Sequence, residues 1–316
     1  NSYARSTKKQ SSRLDSKTFI NEVSEDIANL KGRVDSLEVK QNVLEAGSFS
    51  DTTTLDGKAV MWIGAVDGGD TIGGAETTQT GYSYTMNLNT SFTGDDNLYV
   101  RLKAGEKGDQ WGKKPTYHIE TKDTDDAFKV DKMWYTFPIG DSITAFAGPR
   151  IENYYMYITP SIYKPGALKS MKLGGNSNFG ASTDVGFGFK YEAESGFGVA
   201  TGIVDKNADS DGLIAVGSKR KWDTQVAYTA DQWHLSATLS DAQNWTSQSY
   251  NATTLGAGMK GSDGDTTGYA FRGYWMPEES GTAVPEISVG YDTKTADTPA
   301  SGAAKEADSY FVGLTW

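Results

Sequence analysis

The 316-residue chain has 41 acidic and 30 basic residues, and its net charge of −11 argues against general nucleic-acid binding. It has no cysteine, which excludes a disulfide framework, a zinc–thiolate site and thiol catalysis. Only 37% of residues are hydrophobic and the mean hydropathy is −0.52, yet 12% are aromatic, whereas disordered chains are poor in aromatics.

A sheet with one face in lipid and the other in water reconciles those numbers, because few of its residues are buried on both sides. No apolar run reaches about 18 residues, so no transmembrane helix is expected. The chain opens at Asn1 without an initiator methionine, and a longer precursor is expected.

Residues 1–13 are polar and basic and read as a linker. A helix is predicted over 14–47. Ile20, Ile27, Val34 and Gln41 take one heptad core position, and Val23, Leu30, Leu37 and Leu44 take the other. This seven-residue repeat predicts a coiled coil rather than a helix lying on a globular core. Arg33, Val34, Leu37 and Glu38 fit the pattern of short parallel trimers; an Arg–Glu pair on a solvated helix is the plainer reading.

Everything after Gly47 reads as strands, twelve in number: near 53–65, 79–92, 97–107, 127–137, 142–150, 183–192, 197–204, 220–230, 232–240, 266–276, 284–293 and 308–316. Most approach the roughly 9–11 residues with which a tilted strand crosses a bilayer. Alternate connections are short (Thr93–Asp96, Gly140–Asp141, Glu194–Gly196, Ala230–Asp231, Pro277–Gly281), and the others are long and polar. Short turns on one rim and long loops on the other predict an antiparallel transmembrane β-barrel over 48–316.

The faces agree with that layout. Trp222, Val226 and Tyr228 oppose Lys221, Asp223 and Gln225; Trp233, Leu235 and Leu239 oppose His234, Ser236 and Thr238. In 186–202, Phe187, Phe189 and Tyr191 alternate with glycines, predicting an aromatic face on lipid and a glycine face on a water-filled lumen that packs against nothing. The alternation fails at Lys132 or Met133 and again at Phe146.

No catalytic constellation emerges: His118 lies in a long loop, and His234 beside Ser236 has no carboxylate to orient it. Asp205, Asn207, Asp209 and Asp211 place oxygens at alternating positions as a Ca2+ loop does. The glycine is misplaced and no Glu follows at the required spacing, so an acidic solvated loop is the better reading.

The heptad segment 26–38, the stretch Phe49–Leu55 and the hairpin on Gly186–Gly202 together resemble the cyanobacterial outer-membrane porins, also labelled iron-uptake porins. The resemblance implies a homotrimer, a barrel of about 16 strands, and an upstream surface-layer-homology domain that grips peptidoglycan or its linked polysaccharide. It implies passive diffusion of ions and small hydrophilic solutes, inorganic nutrients and iron among them. A trimeric adhesin or secretion-type barrel with a coiled-coil stalk is the alternative.

By the alternation, Arg101, Lys103, Lys129, Lys190, Lys221 and Arg272 line the lumen with Asp131, Asp223 and Glu286, predicting a mild anion preference. The longest loop, 151–182, is the third long one, the position of the constricting loop in general porins; Glu152, Lys164, Lys169 and Lys172 would line the narrowest section. The helix is expected to form a three-stranded bundle on the short-turn rim, which would face the periplasm.

Overall fold

The structure is a computed structural model that describes residues 16–47, 52–65, 78–106, 123–158, 183–206, 208, 210, 212–244, 265–279, 283–297 and 305–316. The chain divides into two compact units, 1–54 and 55–316. In the first, one helix, α1, runs Ser16–Gly47. Its repeat residues Val23, Ile27, Leu30, Val34 and Leu37 are all exposed. No helix among the described residues is long and apolar enough to cross a membrane.

The second unit is an antiparallel sheet. Its strands are β1 (Thr53–Gly64), β2 (Gln79–Thr90), β3 (Asn97–Glu106), β4 (Lys129–Ile139), β5 (Ile143–Glu152) and β6 (Thr183–Glu192). They continue as β7 (Phe197–Asp205), β8 (Arg220–Thr229), β9 (Trp233–Gln243), β10 (Thr266–Trp275), β11 (Glu286–Ala296) and β12 (Glu306–Thr315). The 12 strands pair strictly in chain order. Among the described residues β12 does not pair with β1, so the sheet has two edges rather than the closed circuit that the sequence suggests.

Turn chemistry fixes the short connections. Asp96 Oδ1 accepts from Ser91 Oγ (2.8 Å), the Phe92 and Thr93 amides (2.9 and 2.8 Å) and Thr93 Oγ1 (2.9 Å), while Oδ2 accepts from Tyr135 Oη at 2.5 Å. The Tyr135 hydroxyl, then the turn amides and hydroxyls, hold the Asp96 carboxyl well below the usual range against the opposing effect of burial. In the β6–β7 turn Gly196 has φ +88°, its amide donates to the Ala193 carbonyl at 2.9 Å, and a Cβ there would strike the Thr229 carbonyl.

The two faces have opposite character. In β8, Lys221, Asp223, Gln225 and Ala227 are buried while Trp222, Val226 and Tyr228 are exposed. In β9, His234, Ser236, Thr238 and Ser240 are buried while Trp233, Leu235 and Leu239 are exposed. Pairing carries this across strands: Phe197, Tyr228 and Leu235 form one outward row, and Val226, Ala237, Phe271, Tyr291 and Tyr310 form another. Trp222 is 54% exposed and Leu235 59%, whereas Gln225 and His234 are at 0%. A water-soluble sheet has the reverse arrangement.

The alternation breaks at two β-bulges. Pairing slips between Arg101 and Leu102, which leaves Asp131 as the extra residue and brings both Lys129 and Lys132 opposite inward residues of β3. The second slip lies between Gly148 and Ile151. Phe146 itself keeps phase: it is buried between Thr136 and Gly188, so the break expected there falls a few residues later.

After β5 the chain turns inward through a short 3-10 helix, Asn153–Met156. Met156 packs on Gly202, and Ile158 packs on Gly198, at the contacts that a Cβ on either glycine would occupy. This corrects the expectation that the glycine face packs against nothing: Gly198 and Gly202 make room for an inward-folded segment. The small apolar core lies there, with Tyr99, Trp134, Phe146, Ile151, Met156, Val204 and Ala242.

Candidate functional site

The sheet's inner face is a wall of paired charges. Arg272 Nη2 donates to Asp292 Oδ2 at 2.6 Å, and Nη1, which donates to the Phe271 carbonyl at 3.0 Å, lies 2.6 Å from Oδ1. Lys221 Nζ lies 3.6 Å from Asp223 Oδ2, which also accepts from Asn153 Nδ2 at 3.0 Å. Lys190 pairs with Glu192 at 2.6 Å. Arg101 Nε donates to Asn87 Oδ1 at 2.7 Å and its guanidinium stands 5.4 Å from the Tyr99 ring centre. Asn87 Nδ2 in turn donates to Asp56 at 2.6 Å, which ties β1 to the same face.

The other residues expected to line the lumen or its constriction fall as follows. Lys103 is buried and sits opposite Lys129, which is exposed. Asp131 occupies the bulge, its carboxylate 3.9 Å from Lys132 Nζ. Glu286 is half-buried and, two residues from buried Ser288, lies on its face. Glu152 forms a buried ion pair with Lys132. Lys164, Lys169 and Lys172 lie outside the described residues, as do His118, Asn207, Asp209 and Asp211. Asp205 is buried and accepts from the Ile214 amide at 2.9 Å. Of the residues expected to mediate trimerisation, Val23, Ile27, Leu30, Arg33, Val34, Leu37 and Glu38 are all exposed on α1, and nothing is described of the Ile20 side chain.

Alternation alone missed Asp56, Lys132, Asp292 and Lys294. Lys132 was hidden by the bulge. Asp292 and Lys294 were legible, since both lie in phase with Ser288 on β11 and face the inward row of β10. With them added, six bases against three acids becomes eight against five, so the excess of three bases stays but makes up a smaller share of the charge.

The inward segment spans this wall. Tyr155 stacks near Trp134 at 4.9 Å, and Trp134 lies 4.4 Å from Tyr99, so one end leans on β3 and β4. At the other end the Ile158 amide donates to Gln225 Oε1 at 2.8 Å. Tyr157 between them is buried, and burial together with the Asp223 carboxylate pushes its phenol well above the ordinary value. Near the long-loop rim, burial lowers Lys206, and Lys219 and Lys221 lower it further against the pull of Asp184. His234 is stacked on Tyr274 at 5.2 Å with Nδ1 2.8 Å from Thr229 Oγ1, and neither partner is a carboxylate.

No family model matches the chain. An 84-residue stretch is 44% identical to an uncharacterized protein of Nostoc sp., alr4550, covering 27% of this chain and 14% of that one. A 128-residue stretch is 33% identical to an uncharacterized Synechocystis sp. protein, sll0772, covering 39% of this chain and 23% of that one. The chain therefore spans less than a quarter of the length of these relatives. Among solved structures, a mutant Rh. blastica porin matches at 11% identity and TM-score 0.44, over 83% of this chain and 84% of that one. The outer-membrane channel DcaP of Acinetobacter baumannii matches at 10% and 0.37, over 84% and 87%. A loop-deleted OmpT of Vibrio cholerae matches at 12% and 0.35, over 84% and 88%.

Proposed function

We propose that this chain is the barrel-forming part of an outer-membrane channel that passes ions and small hydrophilic solutes by passive diffusion. One observation carries the reading. Large apolar side chains such as Val226, Phe271, Tyr291 and Tyr310 are exposed along one cross-strand row of β8 to β12, while Lys221, Asp223, Arg272, Asp292 and Lys294 are buried on the opposite face. A soluble monomer rarely exposes so large an apolar patch, and a strand-built membrane channel requires it. Trp233 pairs with Trp275 where β9 and β10 approach the short turns, the place for an interfacial aromatic belt.

Lipid tolerates no open sheet edge, so the reading requires β1 and β12 to be covered, and we assign that to closure of the barrel. The exposed heptad stripe of α1 supports assembly as a homotrimer through a coiled coil. Binding to peptidoglycan or its polysaccharide would belong to an upstream domain. The short turns are assigned to the periplasmic rim and the long loops to the outside. Residues 151–182 are assigned the role of narrowing the lumen, a role supported by the inward course of 153–158. Twelve strands from one chain favour a pore in each subunit over the few-strand share of a trimeric adhesin.

Purified protein in planar bilayers tests this directly. Discrete, ohmic steps are expected, and deletion within 160–176 should enlarge them. Protein that folds and inserts yet leaves the bilayer silent would end the channel reading. Crosslinking that stops at dimers would end the trimer.

A further inference from the structure

On the inner wall, one cation stands apart from the ion pairs. Lys294 is 1% exposed, and its ammonium has no hydrogen-bond partner among the described groups. The charged groups near enough to act on it are Lys221, Asp223, Lys206 and Asp292. Each carboxylate is engaged through Oδ2, Asp292 by Arg272 Nη2 and Asp223 by Asn153 and Lys221, while Oδ1 of each is buried without a hydrogen-bond partner among the described groups. An ammonium taken out of water without a compensating partner is costly, by several kcal/mol even after relaxation. The chain nonetheless places it in the interior.

The register shows what surrounds it. Ser240, Gly268 and Lys294 form one cross-strand row, with Thr266 in the inward row towards the long loops and Thr238, Ala270 and Asp292 in the inward row towards the short turns. The hydroxyls of Ser240, Thr238 and Thr266 and the Gln225 amide nitrogen are buried and lack hydrogen-bond partners among the described groups. Gly268 and Ala270 leave a shallow floor between them. With strands about 4.8 Å apart, the Ser240 and Lys294 backbones stand about 10 Å from each other, a span that donors on both sides can close around a small anion.

From this convergence of unpartnered donors around an unpaired buried ammonium, we propose that Lys294, Ser240, Thr238 and Thr266 form a binding station for a small inorganic oxyanion of the phosphate class. Three hydroxyls, an ammonium and an amide offer more donors than a halide can use, whereas an oxyanion presents several acceptor oxygens in different directions. The proposal rests on the channel reading, because it makes the station a stop on the solute's path. Lys206 and Lys221, towards the long-loop rim, supply positive potential ahead of it.

The test uses the full chain in detergent micelles, with inorganic phosphate followed by 31P line broadening, and the same protein in bilayers carrying a chloride current. Saturable broadening is expected, together with a saturable block of the chloride current by phosphate. Lys294→Met should weaken both by about tenfold or more, a loss of at least about 1.4 kcal/mol, and Lys294→Arg should restore most of the affinity. If Lys294→Met fails to fold, the double variant Ser240→Ala with Thr266→Val decides, since it keeps the charge and removes two donors; it should weaken binding several-fold. Absence of saturable broadening in the unsubstituted protein, or broadening that none of these variants alters, overturns the station. Bilayers that stay silent while the broadening persists would instead remove the channel reading and leave the anion site standing.

Discussion

Strands β7 to β12 and strands β3 to β6 build their inner faces differently. From β7 to β12 every pairing keeps one register from end to end, and each inward residue is followed two positions later by another. From β3 to β6 each pairing slips once, and the chain leaves β5 to fold inward at Asn153. In the regular wall Arg272 and Asp292 pair between neighbouring strands and Lys221 and Asp223 along one strand. The bulged wall uses its extra residues to bring Lys132 onto Glu152 and to release the segment that covers Gly198 and Gly202. Regularity gives a lining, and irregularity gives the lining something to hold.

The regular wall breaks hardest if one partner of its buried pair is removed. Asp292→Ala leaves the Arg272 guanidinium buried without its carboxylate, a cost of roughly 3–5 kcal/mol. Urea refolding into detergent micelles should show the loss, while Arg272→Met combined with Asp292→Leu should recover much of it. If the single variant is as stable as the parent, the pair is hydrated and the wall is wetter than its burial implies.

The bulged wall is tested at the glycine beneath Met156. Gly202→Val should displace Met156 and cost about 1–3 kcal/mol from overpacking, because the contact is with a side chain that can move rather than with backbone. The same change should make 153–158 more open to protease and alter the single-channel step. Unchanged cleavage would mean that Asn153, Tyr155 and Ile158 hold the inward segment without Met156.

The outward face carries a smaller term. Trp222 Nε1 donates to Thr201 Oγ1 at 2.8 Å, and that hydroxyl also meets Thr224 Oγ1 at 3.0 Å. Trp222→Phe should cost about 0.5–1.5 kcal/mol, the usual net worth of one hydrogen bond, and should leave conductance unchanged. A change in conductance would place Trp222 on the path instead of in the apolar face.

Much of this was legible in the residues. Strand number, order and the short–long parity of the connections followed from alternation and turn chemistry, because side chains on a strand repeat every second residue. Lys103, Lys221, Asp223 and Arg272, expected to line the lumen, are buried on the face opposite the exposed apolar one for the same reason. A bulge has no period, however, so Lys132 could be recognised only as one of two positions where the pattern failed. The glycines at 198 and 202 read as empty space because their partners, Met156 and Ile158, lie some 40 residues earlier in the chain. Only the packed structure brings a glycine and its filler together. The unpaired edges of β1 and β12 likewise concern hydrogen bonds between distant strands, which no local pattern encodes.

The smallest effect needs no substitution and contrasts a rim with both walls. The Asp96 carboxylate gathers the β2–β3 turn and accepts from Tyr135 on β4, so its charged form is favoured in the folded state. A carboxyl with a depressed folded value contributes stability that is fully present above its unfolded value, about 3.9 for an aspartate, and is lost as pH falls below it. The turn sits at the water-exposed end of the strands, where screening is strong, so the loss should be gradual. Denaturation midpoints measured from neutral pH down to about pH 3 should fall for the parent, as they would for any protein with favoured carboxylates. The part that belongs to Asp96 is the difference from Asp96→Asn, which keeps the shape and some acceptor capacity but cannot titrate. That variant should start less stable at neutral pH and fall less steeply below about pH 4. Parallel curves for the two proteins would mean that the turn is held by its backbone and Gly94, and that the carboxylate adds nothing to the rim.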